Sequence, residues 1–70
     1  MPKLPSSRQI EKALLKQGFY FISQKGNHAK YRKDDGHIFT VIVPANRKEI
    51  PIGTFRSICR QAGLTEDDFK

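Results

Sequence analysis

The run His28-Ala29-Lys30-Tyr31-Arg32-Lys33-Asp34-Asp35-Gly36-His37-Ile38-Phe39-Thr40-Val41-Ile42-Val43-Pro44 decides the fold. Its first five residues alternate polar and apolar at period two, the signature of a half-buried strand. Ile38 to Val43 is β-branched and aromatic, and Pro44, which has no N–H to give a ladder, ends it. Between them Asp34-Asp35-Gly36 reads as a three-residue hairpin loop with glycine in the left-handed place. With that loop Lys33 opposes His37, Tyr31 opposes Phe39 and Ala29 opposes Val41. Opposed residues share a face, so Ala29, Tyr31, Phe39, Val41 and Val43 are expected toward the core. His28, Lys30 and Arg32 then stand on the other face with Thr40 and two isoleucines. A two-residue Asp35-Gly36 turn shifts the pairing by one and turns Phe39, Val41 and Val43 outward, so the longer loop is preferred.

Working back from the hairpin, Lys25-Gly26-Asn27 is a turn signal, and Phe19 to Gln24 has the composition of a first strand. Before it, Ile10, Ala13, Leu14 and Gln17 fall at helical spacing. Ser6 or Ser7 offers the N-cap, with Gln9 three after Ser6 as a capping-box partner. Gly18 followed by Phe19 reads as a left-handed stop with its apolar seal, so the first helix spans about residues 7–17. Residues 1–5, with two prolines, form an irregular lead-in. Forward of the hairpin, residues 44–50 read as a charged linker. A second helix starts between Pro51 and Thr54, with Ile52, Phe55, Ile58, Cys59 and Ala62 as its apolar stripe. Gly63-Leu64 repeats the glycine stop, and Thr65 caps a short acidic turn over residues 65–70. The order is α-β-β-β-α with a short C-terminal helical turn. It predicts one two-layer α+β domain over residues 1–70, in which both helices cover one face of a three-stranded antiparallel sheet.

Composition bounds the function. Seventy residues, 37% of them apolar, fill one small core. Cys59 is the single cysteine and His28 and His37 the only histidines, so an internal disulfide and a multi-cysteine zinc site are excluded, and no metal or cofactor is expected. No apolar run approaches the roughly 18–20 residues that cross a bilayer, and the Met1 end lacks a secretory stretch. A cytoplasmic chain without membrane contact is expected. The formal charge is +6. Residues 1–64 hold 12 basic and 4 acidic side chains, a net of +8, while Glu66, Asp67 and Asp68 against Lys70 leave −2 at the end. Such a field favours a polyanion: a phosphate backbone, an anionic surface or an acidic protein.

His28 follows Gly26-Asn27 at the start of a strand, among Lys25, Lys30 and Arg32. Imidazole is the side chain best suited to move protons near neutrality. RNA cleavage requires a base for the 2′-OH, an acid for the leaving oxygen and cations for the phosphorane, and these cations supply the last. On position alone, a surface histidine without a task is the simpler reading. His37, in the turn, is assigned no role, and Asp34 and Asp35 read as turn formers. Cys59 reads as a packed, inert thiol. Most of the aromatic residues Phe19, Phe21, Tyr31, Phe39 and Phe55 are claimed by the core. Tyr20 and Ile22, on the alternate face of the first strand, are freer to contact protein or RNA.

Gly18-Phe19, Lys25-Gly26-Asn27-His28, Val43-Pro44, and Pro51-Ile52-Gly53-Thr54-Phe55-Arg56-Ser57-Ile58 running on to Arg60-Gln61-Ala62-Gly63-Leu64 follow one another in an order and spacing that resembles the HicA toxin family. These are small mRNA interferases of toxin–antitoxin pairs with a double-stranded-RNA-binding-domain-like fold. The resemblance covers residues 7–64. It implies that His28 is the catalytic histidine of a metal-independent endoribonuclease acting on mRNA, and that a HicB-type antitoxin covers the site. Lys25, Asn27, Lys30, Arg32, Arg47 and Lys48 are then the expected RNA-binding residues. The chain departs from the family pattern twice. Asn27 stands where the family commonly has serine in Gly-Ser-His, and Asn46 stands where it often has histidine after the third strand. Arg47 or Lys48 is left to stabilise charge, and the proton donor to the leaving group is unassigned. A non-catalytic RNA-binding domain of the same fold is the alternative; a third reading makes the basic face a dock for an acidic protein.

Overall fold

In a computed structural model, which describes residues 4–69, the elements run α1 (Ser7–Lys16), β1 (Tyr20–Lys25), β2 (His28–Asp34), β3 (Ile38–Pro44), α2 (Ile52–Ala62) and a 3₁₀ turn (Glu66–Phe69). The first three residues of the expected lead-in, and Lys70 at the end of the acidic turn, lie outside the described residues. The sheet is antiparallel in the order β1-β2-β3. Its one buried face meets both helices: Ala29, Tyr31, Val41 and Val43 pack with Ile10 and Leu14 of α1 and Phe55, Ile58, Cys59 and Ala62 of α2. The architecture is the expected α+β order.

Both helix boundaries follow from local chemistry. Ser6 caps α1 in a reciprocal capping box, its hydroxyl accepting the Gln9 N–H at 3.1 Å and its own N–H donating to Gln9 Oε1 at 2.8 Å. The two helices then close by the same Schellman device. Phe19 N–H donates to Leu14 O and Gly18 N–H to Leu15 O at the end of α1. Leu64 N–H donates to Cys59 O and Gly63 N–H to Arg60 O at the end of α2. Gly18 and Gly63 take the positive φ, 96° and 68°, that this geometry needs.

The hairpin differs from its expected register. Asp34 opposes Ile38, so the loop is Asp35-Gly36-His37 rather than Asp34-Asp35-Gly36, and Tyr31 opposes Val41, with Ala29 opposite Val43. Asp34 Oδ1 accepts the Gly36 N–H at 3.2 Å, an Asx turn that keeps Asp34 in the strand. Each partner moves by two residues, and because side chains alternate with period two the faces are unchanged. Phe39 is only partly buried.

Four further expectations are corrected. Ile52 is 44% exposed and leaves the α2 stripe, because the helix begins there and turns its first residue to solvent. Phe21 is 52% exposed: it lies on the helix side of the sheet, edge-on to Tyr31 at 5.7 Å, but on edge strand β1. A bulge between Phe21 and Ser23 breaks the alternation, so Ile22 does not share a face with Tyr20 by simple periodicity. Ile50, inside the charged linker, is fully buried, held by its N–H to Pro5 O at 2.8 Å. Cys59 is buried as expected, and burial, then the nearby Glu66 carboxylate, pushes its thiol up.

Candidate functional site

His28 is exposed and opens β2, paired with Lys25 across β1 and with Pro44 across β3. Strand alternation puts it on the face opposite Ala29 and Tyr31, with Lys30 and Arg32 following on that face. The ladder partners of these residues complete the face: Lys25, Ser23 and Tyr20 from β1, and Pro44, Ile42 and Thr40 from β3. Among the described residues both helices pack on the opposite face, with Ala29, Tyr31, Val41 and Val43. Asp34 is its single carboxylate, at the end away from His28. Among the described residues, none of Lys25, Lys30, Arg32, Arg47 and Lys48 has a carboxylate within ion-pair distance; Lys33, in the buried-face register, meets Asp35 at 3.9 Å. Arg32 Nε is shielded from solvent without a hydrogen-bond partner.

Beside His28 the chain leaves β3 and forms a recess of about 310 Å³ lined by Asn27, His28, Pro44, Ala45, Asn46 and Arg47. That volume is at the low end of the roughly 300–1,000 Å³ of small-ligand sites, enough for a sugar–phosphate unit and too little for a dinucleotide cofactor. The loop is clamped from two sides. Ala45 N–H donates to Asn27 O at 2.6 Å, tying it to the turn before His28. Ser7, a buried polar side chain at the start of α1, donates its hydroxyl to Pro44 O at 2.5 Å and accepts the Arg47 N–H at 2.9 Å. The Ser7 N–H donates to Arg47 O at 2.9 Å as well. Between these clamps Asn46 takes φ 60°, a left-handed turn that asparagine tolerates better than most residues.

Of the expected RNA-binding residues, the structure thus brings Asn27 and Arg47 to the recess with His28, and sets Lys25, Lys30 and Arg32 along the adjoining sheet face. Lys48 is exposed on the linker and does not line the recess. Ser7 escaped the sequence reading because a serine at a helix start signals only a cap. Nothing local shows that it reaches Pro44 and Arg47, 37 and 40 residues away. His37 stays in the hairpin loop, its ring 4.7 Å from Phe39. A larger recess, of about 570 Å³, lies between α1 and the C-terminal turn, where Lys12 and Lys16 share the lining with Asp67 and Asp68. It has no imidazole. The described residues include no group of three or more histidine, cysteine, aspartate or glutamate side chains placed to hold a metal, and no helix long and apolar enough to cross a membrane.

Fold and recess together define a small basic α-β-β-β-α domain whose exposed histidine sits where an uncovered sheet face meets a clamped loop. The family model described as the HicA toxin of bacterial toxin–antitoxin matches residues 7–64. The chain belongs to that family, and is the toxin component of a toxin–antitoxin pair, whose partner in kind is an antitoxin. A comparison with curated proteins gave no match.

Proposed function

We propose that this toxin is a metal-independent endoribonuclease that cleaves mRNA, with His28 as general acid and base. One observation carries the reading: His28 is exposed and lines a recess together with Arg47, beside cations that have no carboxylate partner among the described residues. In the reaction, His28 takes the 2′-OH proton while the 2′-oxygen attacks phosphorus and the P–O5′ bond breaks. Arg47, which both lines the recess and has its backbone fixed by Ser7, neutralises the phosphorane in preference to Lys48. The other lining residues, Asn27, Pro44, Ala45 and Asn46, carry no titratable side chain. Within the recess His28 is then the one side chain placed to carry protons, and the imidazolium formed in the first transfer donates to the 5′-oxygen. The products are a 2′,3′-cyclic phosphate and a 5′-OH. A HicB-type antitoxin neutralises the enzyme by covering His28, an area that an interface of roughly 800 Å² a side accommodates.

The test is incubation of the purified chain with single-stranded RNA in excess chelator. Cleavage to 2′,3′-cyclic phosphate ends supports the reading. RNA that stays intact, or cleavage that gives 5′-phosphate ends and stops with chelator, contradicts it.

A further inference from the structure

The uncovered sheet face carries one aromatic ring that the core does not use. Tyr20 is 48% exposed and opposes Arg32 in the β1–β2 ladder, so the two share the face on which Lys25, His28 and Lys30 stand. Its neighbour Phe21 points to the other side, against Tyr31. Ile42 and Ile38, 36% and 63% exposed, extend the apolar part of the same face along β3. From this juxtaposition we infer that the sheet face binds an unpaired RNA strand, with a base stacked on the Tyr20 ring and the backbone tracked by Lys25, Lys30 and Arg32 toward His28. This rests on the proposed reading of His28 as the RNA-cleaving group, and adds the form of RNA that is recognised and the residue that reads it.

Two arguments favour a single strand over a duplex and over a protein. Bases are available for stacking only when they are unpaired; a duplex offers phosphates and 2′-hydroxyls but hides its base faces. A face that joins a free ring and exposed isoleucines to cations matches the first and leaves half of itself unused by the second. The charge speaks for the polyanion: three cations and one imidazole stand with the single carboxylate Asp34, at the far end. Arg32 Nε, buried without a partner beside Tyr20, leaves that side chain short of one acceptor, which a backbone phosphate provides once the side chain shifts. From His28 to Arg32 the strand rises about 13 Å, taking about 3.3 Å per residue, a span of a few nucleotides.

Binding is measured with the His28→Ala protein, so that no cleavage intervenes, using a labelled unstructured RNA oligonucleotide and the same oligonucleotide annealed to its complement. Stacking on an aromatic side chain predicts that Tyr20→Ala weakens single-strand binding by roughly 5- to 150-fold, while Tyr20→Phe, which keeps the ring, leaves it unchanged. The duplex is expected to bind more weakly and to ignore both substitutions. Single-strand binding unaffected by Tyr20→Ala, or a duplex bound as tightly as the single strand, overturns the inference. So does a Tyr20→Ala protein that keeps its RNA affinity but loses its cognate antitoxin, which would make the ring a protein contact. Failure here is separable from failure of the nuclease reading. A wild-type chain that cleaves RNA but binds it without regard to Tyr20 overturns only the platform; Tyr20-dependent binding by a chain that cleaves nothing supports the platform and overturns the nuclease.

Discussion

Ser7 and Arg47 are joined by two hydrogen bonds: the Arg47 N–H donates to Ser7 Oγ and the Ser7 N–H to Arg47 O, both at 2.9 Å. The first turn of α1 thereby fixes the loop that faces His28, a coupling between core and recess through one buried hydroxyl. Removing that hydroxyl leaves the Arg47 N–H and the Pro44 carbonyl short of a partner in a partly buried place. Ser7→Ala is expected to cost about 1–3 kcal/mol. For a domain of this size each kcal/mol lowers Tm by roughly 4–8 °C, which thermal unfolding measures. An unchanged Tm would mean that the loop holds itself. In the cleavage assay Ser7→Ala and Arg47→Ala are expected to be non-additive, since both act on the same guanidinium.

Two glycines at the ends of α2 predict opposite signs. A Cβ on Gly63 meets the Phe39 ring at 2.8 Å, and the residue has φ 68°. Gly63→Ala therefore combines the roughly 1–2 kcal/mol of a left-handed backbone with a clash against the Phe39 ring. At Gly53, in the first turn of α2, a Cβ meets nothing within 4 Å and the backbone is helical. Gly53→Ala is expected to stabilise by up to about 0.5–1 kcal/mol through helix propensity. Urea denaturation of the pair reads both; a stabilised Gly63→Ala protein would contradict the Schellman closure.

Stability should fall at high pH. Burial, and after it the Glu11 carboxylate, raises the Tyr31 hydroxyl above its ordinary 10.0, and burial raises Cys59 above 9.0. Both groups are neutral when protonated and ionise more readily in the unfolded chain. Their contribution is complete below the unfolded values and is lost as pH rises through them toward the folded ones. Denaturation midpoints are expected to decline above about pH 9, and Tyr31→Phe to flatten the part of that slope above about pH 10. A slope identical in Tyr31→Phe would remove Tyr31 from this account.

The cations of the sheet face predict a salt signature. Binding to single-stranded RNA should weaken with ionic strength, and neutralising Lys25, Lys30 or Arg32 singly should reduce the log–log slope by about 0.7 each. Lys48→Ala, off the recess and off the face, should change it less. Equal effects at Lys48 and Lys30 would indicate a diffuse field rather than a tracked backbone.

What the sequence made legible was what local chemistry controls. The Ser6–Gln9 capping box, the Gly18-Phe19 and Gly63-Leu64 stops and the face alternation of β2 and β3 each depend on residues within a few positions. The hairpin register differs by two from the expected one because the Asx turn, in which Asp34 Oδ1 accepts the Gly36 N–H, keeps Asp34 in the strand. Ile50 reads as linker because one apolar residue in a charged run has no period. Phe69, which packs edge-on to Phe55 at 5.3 Å, lay hidden in an acidic tail for the same reason. At the site, His28 and its flanking cations were visible in the strand pattern. The Ser7 clamp and the left-handed Asn46 were not, since they exist only once residues about 40 apart have met.

Whether His28 moves the protons of RNA cleavage is read most directly from one substitution. His28 is exposed and outside the core cluster, so His28→Ala is expected to fold with the wild-type Tm and to keep binding single-stranded RNA through Lys25, Lys30 and Arg32. A single positioned proton-transfer group is worth about 10²–10⁴ in rate. The cleavage rate of the folded variant is expected to fall by that factor, and growth arrest on expression to be relieved. A folded, expressed His28→Ala protein that cleaves RNA and arrests growth as the wild type does would contradict that role for His28.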